Sequence, residues 1–292
     1  MIYIILTIVI SVLLLLVFKA FQKYNVNSLV AIVINYAAAA ATGFVFLKLD
    51  VKTEMIVGSE WVFISLPLGL LFISIFYLIS QTAQRLSIST ASVANKMSVI
   101  MPVLFSVIFL GQTLSVLKIV GIILAMLAVY FSTRSYSKES VNTKLIWLPI
   151  LVFIGSGLID ITLNAVNALY IKSANESALF SICTFLAAFL IGITILGYLV
   201  LVKKSVAIKE IYNLKNILGA LVLGIPNYFS IYFIFKSLDS KVLQSAQLFP
   251  VLNLSNVALS AFLGWLIFKE KLSPINLLGI FLALISISLI SF

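Results

Sequence analysis

The chain contains no histidine and a single cysteine, Cys183. Without histidine there is no His-ligated metal site, no Ser-His-Asp or Cys-His nucleophile arrangement and no His-dependent intramembrane catalysis. One cysteine cannot form an intrachain disulfide. The sequence also lacks an ATP-binding P-loop, so any active process would draw its energy from a gradient. We therefore expect no catalytic residue, no metal, no cofactor and no enzymatic activity.

Charged residues are scarce as well. Only 10% of the 292 residues are charged and 63% are apolar, against about 25% and about 45–50% in an ordinary soluble domain. The formal net charge is +10, but the basic residues occur singly between apolar runs, as is typical of loops beside a bilayer. The composition predicts a multi-pass protein of the cell membrane (inner or plasma) whose surroundings are lipid, and no nucleic-acid partner.

The apolar residues form long runs, and a run of about 20 residues spans a hydrocarbon core of about 30 Å as a helix. The runs predict an all-α integral membrane fold with ten transmembrane helices, at residues 2–19, 28–47, 61–83, 88–110, 116–132, 145–171, 178–202, 216–236, 242–268 and 274–292. The first run has no basic segment before it and no cleavage site after it, so we expect a span rather than a signal peptide. A polar connection near residue 137 separates two predicted halves, 1–137 and 138–292.

The two halves repeat each other. Residues 112–125 align without gaps with residues 270–283, and residues 23–43 align with residues 172–192. Because each half has five spans, an odd number, the second half must cross the bilayer upside down relative to the first. Inverted repeats around a central cavity are typical of secondary transporters that work by alternating access. This parity predicts two inverted five-helix repeats and a transport function.

A shared motif carries a family resemblance. It consists of a proline-bearing helix, a short turn similar to Gly-Glu-x-Leu, and a helix that opens with glycine. Its residues are Pro102, Gly111, Gln112, Leu114, Ser115 and Gly121 in the first half, and Pro250, Lys269, Glu270, Leu272, Ser273 and Gly279 in the second. On these residues the chain resembles the drug/metabolite transporter superfamily, in its EamA-like ten-helix branch. The resemblance implies a cavity lined by spans 1, 3, 4, 6, 8 and 9, and export or exchange of small metabolites.

The motif differs between the halves. The acidic position is Gln112 in the first half, and the interval from proline to this position is 102 to 112 in one half and 250 to 270 in the other. For this reason the motif alone does not assign Glu270 a role in transport.

Two ionisable residues lie within predicted spans, where a charge costs at least about 2.5–3.5 kcal/mol and usually faces a cavity or a partner. Lys96 lies in span 4 beside Asn95, and Asp160, Asn164 and Asn167 follow one face of span 6 at i, i+4 and i+7. We expect either that Lys96 and Asp160 meet across the cavity, or that Lys96 receives a substrate carboxylate while Asp160 exchanges a proton. Snorkelling of Lys96 to the interface and structural pairing of Asp160 stay open.

Further candidates for substrate binding or coupling are Gln84 in span 3, Asn227 and Tyr228 in span 8, and Gln247 in span 9. Each is also explained by a helix–helix hydrogen bond, worth about 0.6 kcal/mol in membranes. A buried lysine among amides favours carboxylate substrates such as amino acids or organic acids. Phosphate-bearing substrates and drug-like cations stay open, and a cationic substrate would place Asp160 at the centre.

Two other classes of function compete with transport. An intramembrane enzyme acting on a lipid-linked substrate would need paired acids or another catalytic set, and a channel or receptor scaffold would want a filter loop or rings of like groups. The sequence shows neither pattern. Twelve Lys and Arg residues in odd-numbered connections against five in even-numbered ones favour cytoplasmic odd connections, whereas the resemblance favours cytoplasmic termini. A monomer and a homodimer are both compatible with the sequence.

Overall fold

The computed structural model describes residues 2–47, 58–101, 115–132, 145–171, 173–240, 245–270 and 272–291, and these contain helices and no β-strand. Ten helices of ten or more residues occur in these ranges. They are α1 Ile2–Lys23, α2 Ser28–Leu47, α3 Trp61–Arg85, α4 Ile88–Met97, α5 Val116–Ser132, α6 Trp147–Leu169, α7 Ala174–Leu201, α8 Leu214–Asp239, α9 Ser245–Phe268 and α10 Pro274–Ser291. A single helical turn, Ile208–Ile211, precedes α8. The predicted all-α class is confirmed.

The helix bounds follow the predicted spans closely. α2 and α5 begin and end where the apolar runs do. α7 begins four residues before the predicted start because Ser173 caps it: its hydroxyl oxygen accepts the Glu176 N–H at 3.3 Å. The later part of predicted span 4, residues 102–110, lies outside the described residues.

Several of these helices suit a bilayer. Five are long and apolar enough to cross a membrane: Ile2–Lys23, Ser28–Phe46, Trp61–Arg85, Asn175–Leu201 and Leu214–Ile234. Four more helices contain shorter apolar segments. The prediction of a multi-pass membrane protein is therefore confirmed. Passage of all ten helices through the bilayer, and the inverted relation of the two halves, stay predictions.

The chain forms two compact units. Unit 1 comprises Met1–Lys19, Leu78–Ile161 and Phe233–Phe292, and unit 2 comprises Ala20–Tyr77 and Thr162–Tyr232. Each unit therefore combines segments from both halves of the sequence. The division at residue 137 describes the repeat in the sequence and stays a prediction.

In unit 1, α4, α5, α9 and α10 pack around a shared apolar core of mostly small and branched side chains: Val93, Met97, Ile100, Ala125, Ala128, Val257, Ala261, Ile280, Ala283 and Ile287. Small residues let membrane helices approach closely. The Ser286 hydroxyl of α10 donates to the backbone carbonyl of Gly121 in α5 at 2.7 Å. This contact brings α10 close to the backbone of α5 at Gly121.

The serine shared by the two motif copies caps a helix in each half. Ser273 precedes α10, where its hydroxyl oxygen accepts the Asn276 N–H and the Asn276 side-chain oxygen accepts the Ser273 N–H, both at 3.1 Å. Ser115 precedes α5, and its hydroxyl oxygen accepts the Lys118 N–H at 3.4 Å. The repeat therefore preserves a helix start, with the fuller capping box in the second half.

Replacement of Ser273 by alanine should lower stability by about 0.5–2 kcal/mol, since it removes a side-chain N-cap. Ser115→Ala should cost less, because its single capping contact is longer. Thermal unfolding of the purified protein in detergent measures both. Equal losses for the two variants would contradict the reciprocal cap at Ser273.

In unit 2, α2 packs against α7. The buried Tyr36 ring of α2 contacts Phe185 of α7 and Phe76 of α3, with ring centroids 6.0 and 5.7 Å apart. Gly192 of α7 permits this approach, since a Cβ there would lie 2.8 Å from a methyl carbon of Val33.

Candidate functional site

The helix that carries Lys96 is interrupted just beyond it. α4 ends at Met97, Ser98 and Val99 form a turn, and helical residues resume at Ile100. Pro102, itself outside the described residues, has no N–H to donate to the Ser98 carbonyl four positions earlier. That carbonyl instead accepts the Met101 N–H at 2.8 Å. Helices broken in this way supply the binding residues of many transporters.

Lys96 lies in the last turn of α4, about 12 Å along the helix from Ile88. A cation is favoured there because the helix dipole places partial negative charge at the C-terminal end. Asn95 and Lys96 are both half-buried. The C-terminal end of α4 therefore carries an ammonium and a side-chain amide on neighbouring residues.

Asp160 of α6 reaches the same break. The Ser98 hydroxyl donates to Asp160 Oδ2 at 2.9 Å and lies 2.6 Å from the Asn95 carbonyl oxygen. Lys96 and Asp160 act on each other electrostatically, but among the described side chains the ion pair observed is a different one, between Lys19 and Glu270. The structure thus gathers Asn95, Lys96, Ser98 and Asp160 at one place without joining the two charges directly.

Gly157 lets α6 approach the broken segment. A Cβ at this position would overlap Met101 Cγ and lie 3.3 Å from the Ser98 carbonyl oxygen. Gly157 and Asp160 share a helix face because they are three residues apart. The absent side chain of Gly157 therefore positions Asp160 against Ser98.

Gly157→Ala should destabilise the protein by about 1–3 kcal/mol, as overpacking does, and displace Asp160 from Ser98. The matched control is Gly197→Ala, because nothing lies within 4 Å of a Cβ at that helical position. Thermal unfolding should show a loss for the first variant and a neutral or small stabilising effect for the second. Equal effects would mean that the approach at Gly157 is not tight.

Two other predicted site residues belong to unit 2. The Asn227 amide donates to the side-chain oxygen of Asn35 at 2.9 Å, and both side chains are buried. Tyr228 is buried among aromatic rings, with Phe46 and Tyr232 each 6.3 Å away between centroids. These contacts join α2 to α8, and a part for either residue in substrate binding stays a prediction.

Gln84 lies in unit 1 at the C-terminal end of α3. Its amide donates to the Phe18 carbonyl at 2.9 Å and to the Ser80 hydroxyl at 2.8 Å. The side chains of Asn164, Asn167 and Gln247 lie outside the described part of the structure, so the predicted polar stripe on α6 stays a prediction beyond Asp160.

Two residues of the site are not singled out by sequence patterns alone. Ser98 resembles any serine in a membrane helix, and its signal is its position four residues before Pro102 and two after Lys96. Gly157 precedes Asp160 by one helical turn, but only the structure shows what it contacts. A glycine one turn from a buried acid is the pattern by which it could have been found.

Comparison with known proteins places the chain in a class. The model of the EamA-like transporter family matches residues 1–134 and 148–292. The chain therefore belongs to the EamA-like transporter family, within the drug/metabolite transporter superfamily, and the predicted resemblance is confirmed. Members of this family are membrane transporters of the drug/metabolite type.

A protein of Haemophilus influenzae (strain ATCC 51907 / DSM 11121 / KW20 / Rd) is 29% identical over 275 residues, which cover 92% of this chain and 90% of the relative. It is described as an uncharacterized protein, so it indicates no substrate.

Proposed function

We propose that this protein is a secondary transporter of the inner or plasma membrane that exports or exchanges small carboxylate metabolites, such as amino acids or organic acids. It works by alternating access between two inverted five-helix repeats. The observation that carries the proposal is the Lys96–Ser98–Asp160 arrangement at a break in α4, in a chain of a transporter family.

Lys96 supports an anionic substrate. Its ammonium has three donors, and among the described residues it forms no ion pair with Asp160, whose Oδ2 accepts from Ser98. A charge inside a membrane helix needs a partner. A substrate carboxylate supplies one, and the half-buried Asn95 amide beside Lys96 adds a neutral hydrogen-bonding group.

Ser98 supports proton exchange at Asp160. A serine hydroxyl has one hydrogen, yet Ser98 Oγ lies within hydrogen-bonding distance of two acceptors, the Asn95 carbonyl and Asp160 Oδ2. When Asp160 is ionised, Ser98 donates to it. When Asp160 carries a proton, Asp160 donates to Ser98 and Ser98 donates to the Asn95 carbonyl. Ser98 is therefore a hydrogen-bond partner of Asp160 in both protonation states, which suits proton exchange at Asp160.

A cationic substrate is the second candidate within the same class, and Asp160 would then be the central residue. The Ser98 contact weighs against it, because that hydroxyl occupies one carboxylate oxygen. The intramembrane-enzyme and channel alternatives have no comparable constellation among the described residues, where no group of three Cys, Asp or Glu side chains could hold a metal.

Counterflow in proteoliposomes tests the proposal. Vesicles preloaded with an unlabelled carboxylate should take up the same labelled compound transiently above equilibrium, because alternating access couples outward to inward movement of one site. The panel comprises amino acids, organic acids, nucleosides and cationic drugs. Leakage without overshoot would indicate a channel, and a chemically altered product in the vesicles would indicate an enzyme.

A further inference from the structure

Lys19, Gln84 and Glu270 form a second polar cluster in unit 1, which we call the latch. Lys19 Nζ of α1 lies 3.5 Å from Glu270 Oε1. It also donates to the carbonyls of Ala83 at 2.9 Å and Gln84 at 3.4 Å, at the C-terminal end of α3. The Gln84 amide returns a hydrogen bond to the Phe18 carbonyl of α1. Each of these contacts attaches the C-terminal part of α1 to another element.

The turn after α9 is built to present Glu270. Lys269 adopts a left-handed backbone conformation with φ 52°, as is common for the residue that follows a helix C-terminus, and the Glu270 N–H donates to the Gly264 carbonyl at 3.2 Å. Gly264 leaves room for the carboxylate, since a Cβ there would lie 2.8 Å from Glu270 Oε2. Glu270 Oε1 accepts the Ile88 N–H at 3.0 Å, where the N-terminus of α4 favours an anion.

The latch is closed but not tight. Its 3.5 Å ion pair is longer than the 2.7–2.9 Å of a charge-assisted hydrogen bond. The Glu270 side chain is only 8% exposed, yet its Oε2 is buried without a hydrogen-bond partner among the described residues, which is unfavourable. Since a buried ion pair contributes little net stability, this arrangement suits a contact that separates and re-forms.

The two charged residues of the latch have no charged counterparts at the equivalent positions of the other repeat. The repeat aligns Glu270 with Gln112, and the alignment of residues 23–43 with 172–192, extended four residues upstream, places Ala168 opposite Lys19. The equivalent positions of the other repeat are therefore neutral. If the repeats are inverted, these neutral positions belong to the opposite membrane face.

We propose that the latch closes the transporter at the membrane face of the α3–α4 and α9–α10 connections, and that opening to this face requires Lys19 to leave Glu270. The inference rests on the proposed function, because a gate has meaning only for alternating access. The ion pair stabilises the conformer that is closed at this one face. Its loss therefore shifts the population toward the conformer that is open there.

Cysteine accessibility tests the latch without needing a substrate. The reporter is Ser80→Cys, made with Cys183→Ser so that it is the sole cysteine. Ser80 is fully buried, and its hydroxyl oxygen accepts a hydrogen bond from the Gln84 amide of the latch. The control reporter is Ser286→Cys, equally buried in α10 and bonded to Gly121. Each reporter is combined with Lys19→Met, Lys19→Arg or Glu270→Gln, reconstituted in vesicles, and labelled with a membrane-impermeant maleimide applied to one face at a time.

Lys19→Met and Glu270→Gln should raise the labelling rate of Ser80→Cys about tenfold, from one membrane face only, as the open population rises. Lys19→Arg keeps the charge and should label like the parent, and Ser286→Cys should not respond. An unchanged Ser80→Cys rate, or an equal rise at Ser286→Cys through general loosening, would overturn the latch. If the latch responds as expected while no compound of the panel shows counterflow, the proposed carboxylate substrate class fails, whereas the alternating-access gate stands.

Discussion

Replacement of Lys96 by methionine is expected to reduce counterflow of a carboxylate substrate by about tenfold to a hundredfold. Methionine has nearly the same length and apolar stem but no charge. Hydrogen bonds to charged groups contribute about 1.5–3 kcal/mol, and about 1.4 kcal/mol corresponds to a factor of ten in affinity. The substitution weakens substrate binding. The substrate concentration that gives half-maximal counterflow should therefore rise before the maximal rate falls.

Two controls make this prediction specific. Lys96→Arg keeps the charge but changes its geometry, so it should retain part of the activity. Lys118→Met removes a lysine of the first turn of α5 that takes no part in the Lys96–Ser98–Asp160 arrangement, and should leave counterflow unchanged. Full activity of Lys96→Met, or an equal loss in Lys118→Met, would contradict a substrate-binding role for Lys96.

Asp160→Asn is expected to abolish accumulation driven by a pH gradient while leaving counterflow largely intact. Asparagine keeps an oxygen that accepts from Ser98 and matches the volume of aspartate, but it cannot hold or release a proton. The measurement compares labelled uptake by the same vesicles with and without an imposed pH gradient. In Asp160→Asn, uptake in the presence of the pH gradient should fall to the level measured without a gradient. Exchange of internal for external substrate should persist.

Ser98→Ala separates positioning from proton exchange. It removes the hydroxyl that contacts Asp160 Oδ2 but leaves the carboxyl group. We expect weakened gradient-driven uptake that still shifts with external pH, since Asp160 continues to titrate. A normal pH-driven accumulation in Asp160→Asn would show that the coupling proton binds elsewhere.

The helices could be predicted from the sequence because the bilayer fixes their length and apolar character. The bounds of α2 and α5 match the apolar runs, and the deviation at α7 follows from a capping serine. Lys96 and Asp160 were identifiable for the same reason, since a charge within an apolar run is costly and rare.

The contacts that define the site could not be predicted. Ser98 and Asp160 lie 62 residues apart in the sequence, and nothing in either local pattern specifies that α4 and α6 meet at the turn after Met97. Gly157 acts by leaving space, because it has no side chain that would keep α6 away from Met101 and Ser98. Such contacts depend on tertiary packing, which a single sequence does not encode in local periodicity.

The role of Glu270 could not be predicted from the sequence for a different reason. As the acid of the motif it had no assignable role, because the first half has Gln112 in its place. The structure connects it to Ile88 and Lys19, which are distant in the chain. Motif similarity identified the turn, whereas the charge, the α4 N-terminus and the room left by Gly264 explain why an acid stands there.

A thermal-stability screen of the purified protein, wild type beside Lys96→Met, tests the central claim most directly. A ligand at about 100 times its dissociation constant adds about 2.7 kcal/mol to the state that it binds, a clear shift in the unfolding temperature. We expect amino acids or organic acids to stabilise the wild type and not Lys96→Met, and nucleosides and cationic drugs to stabilise neither. Equal responses of the two proteins, or stabilisation by cations alone, would contradict the Lys96 site and make Asp160 the residue to test.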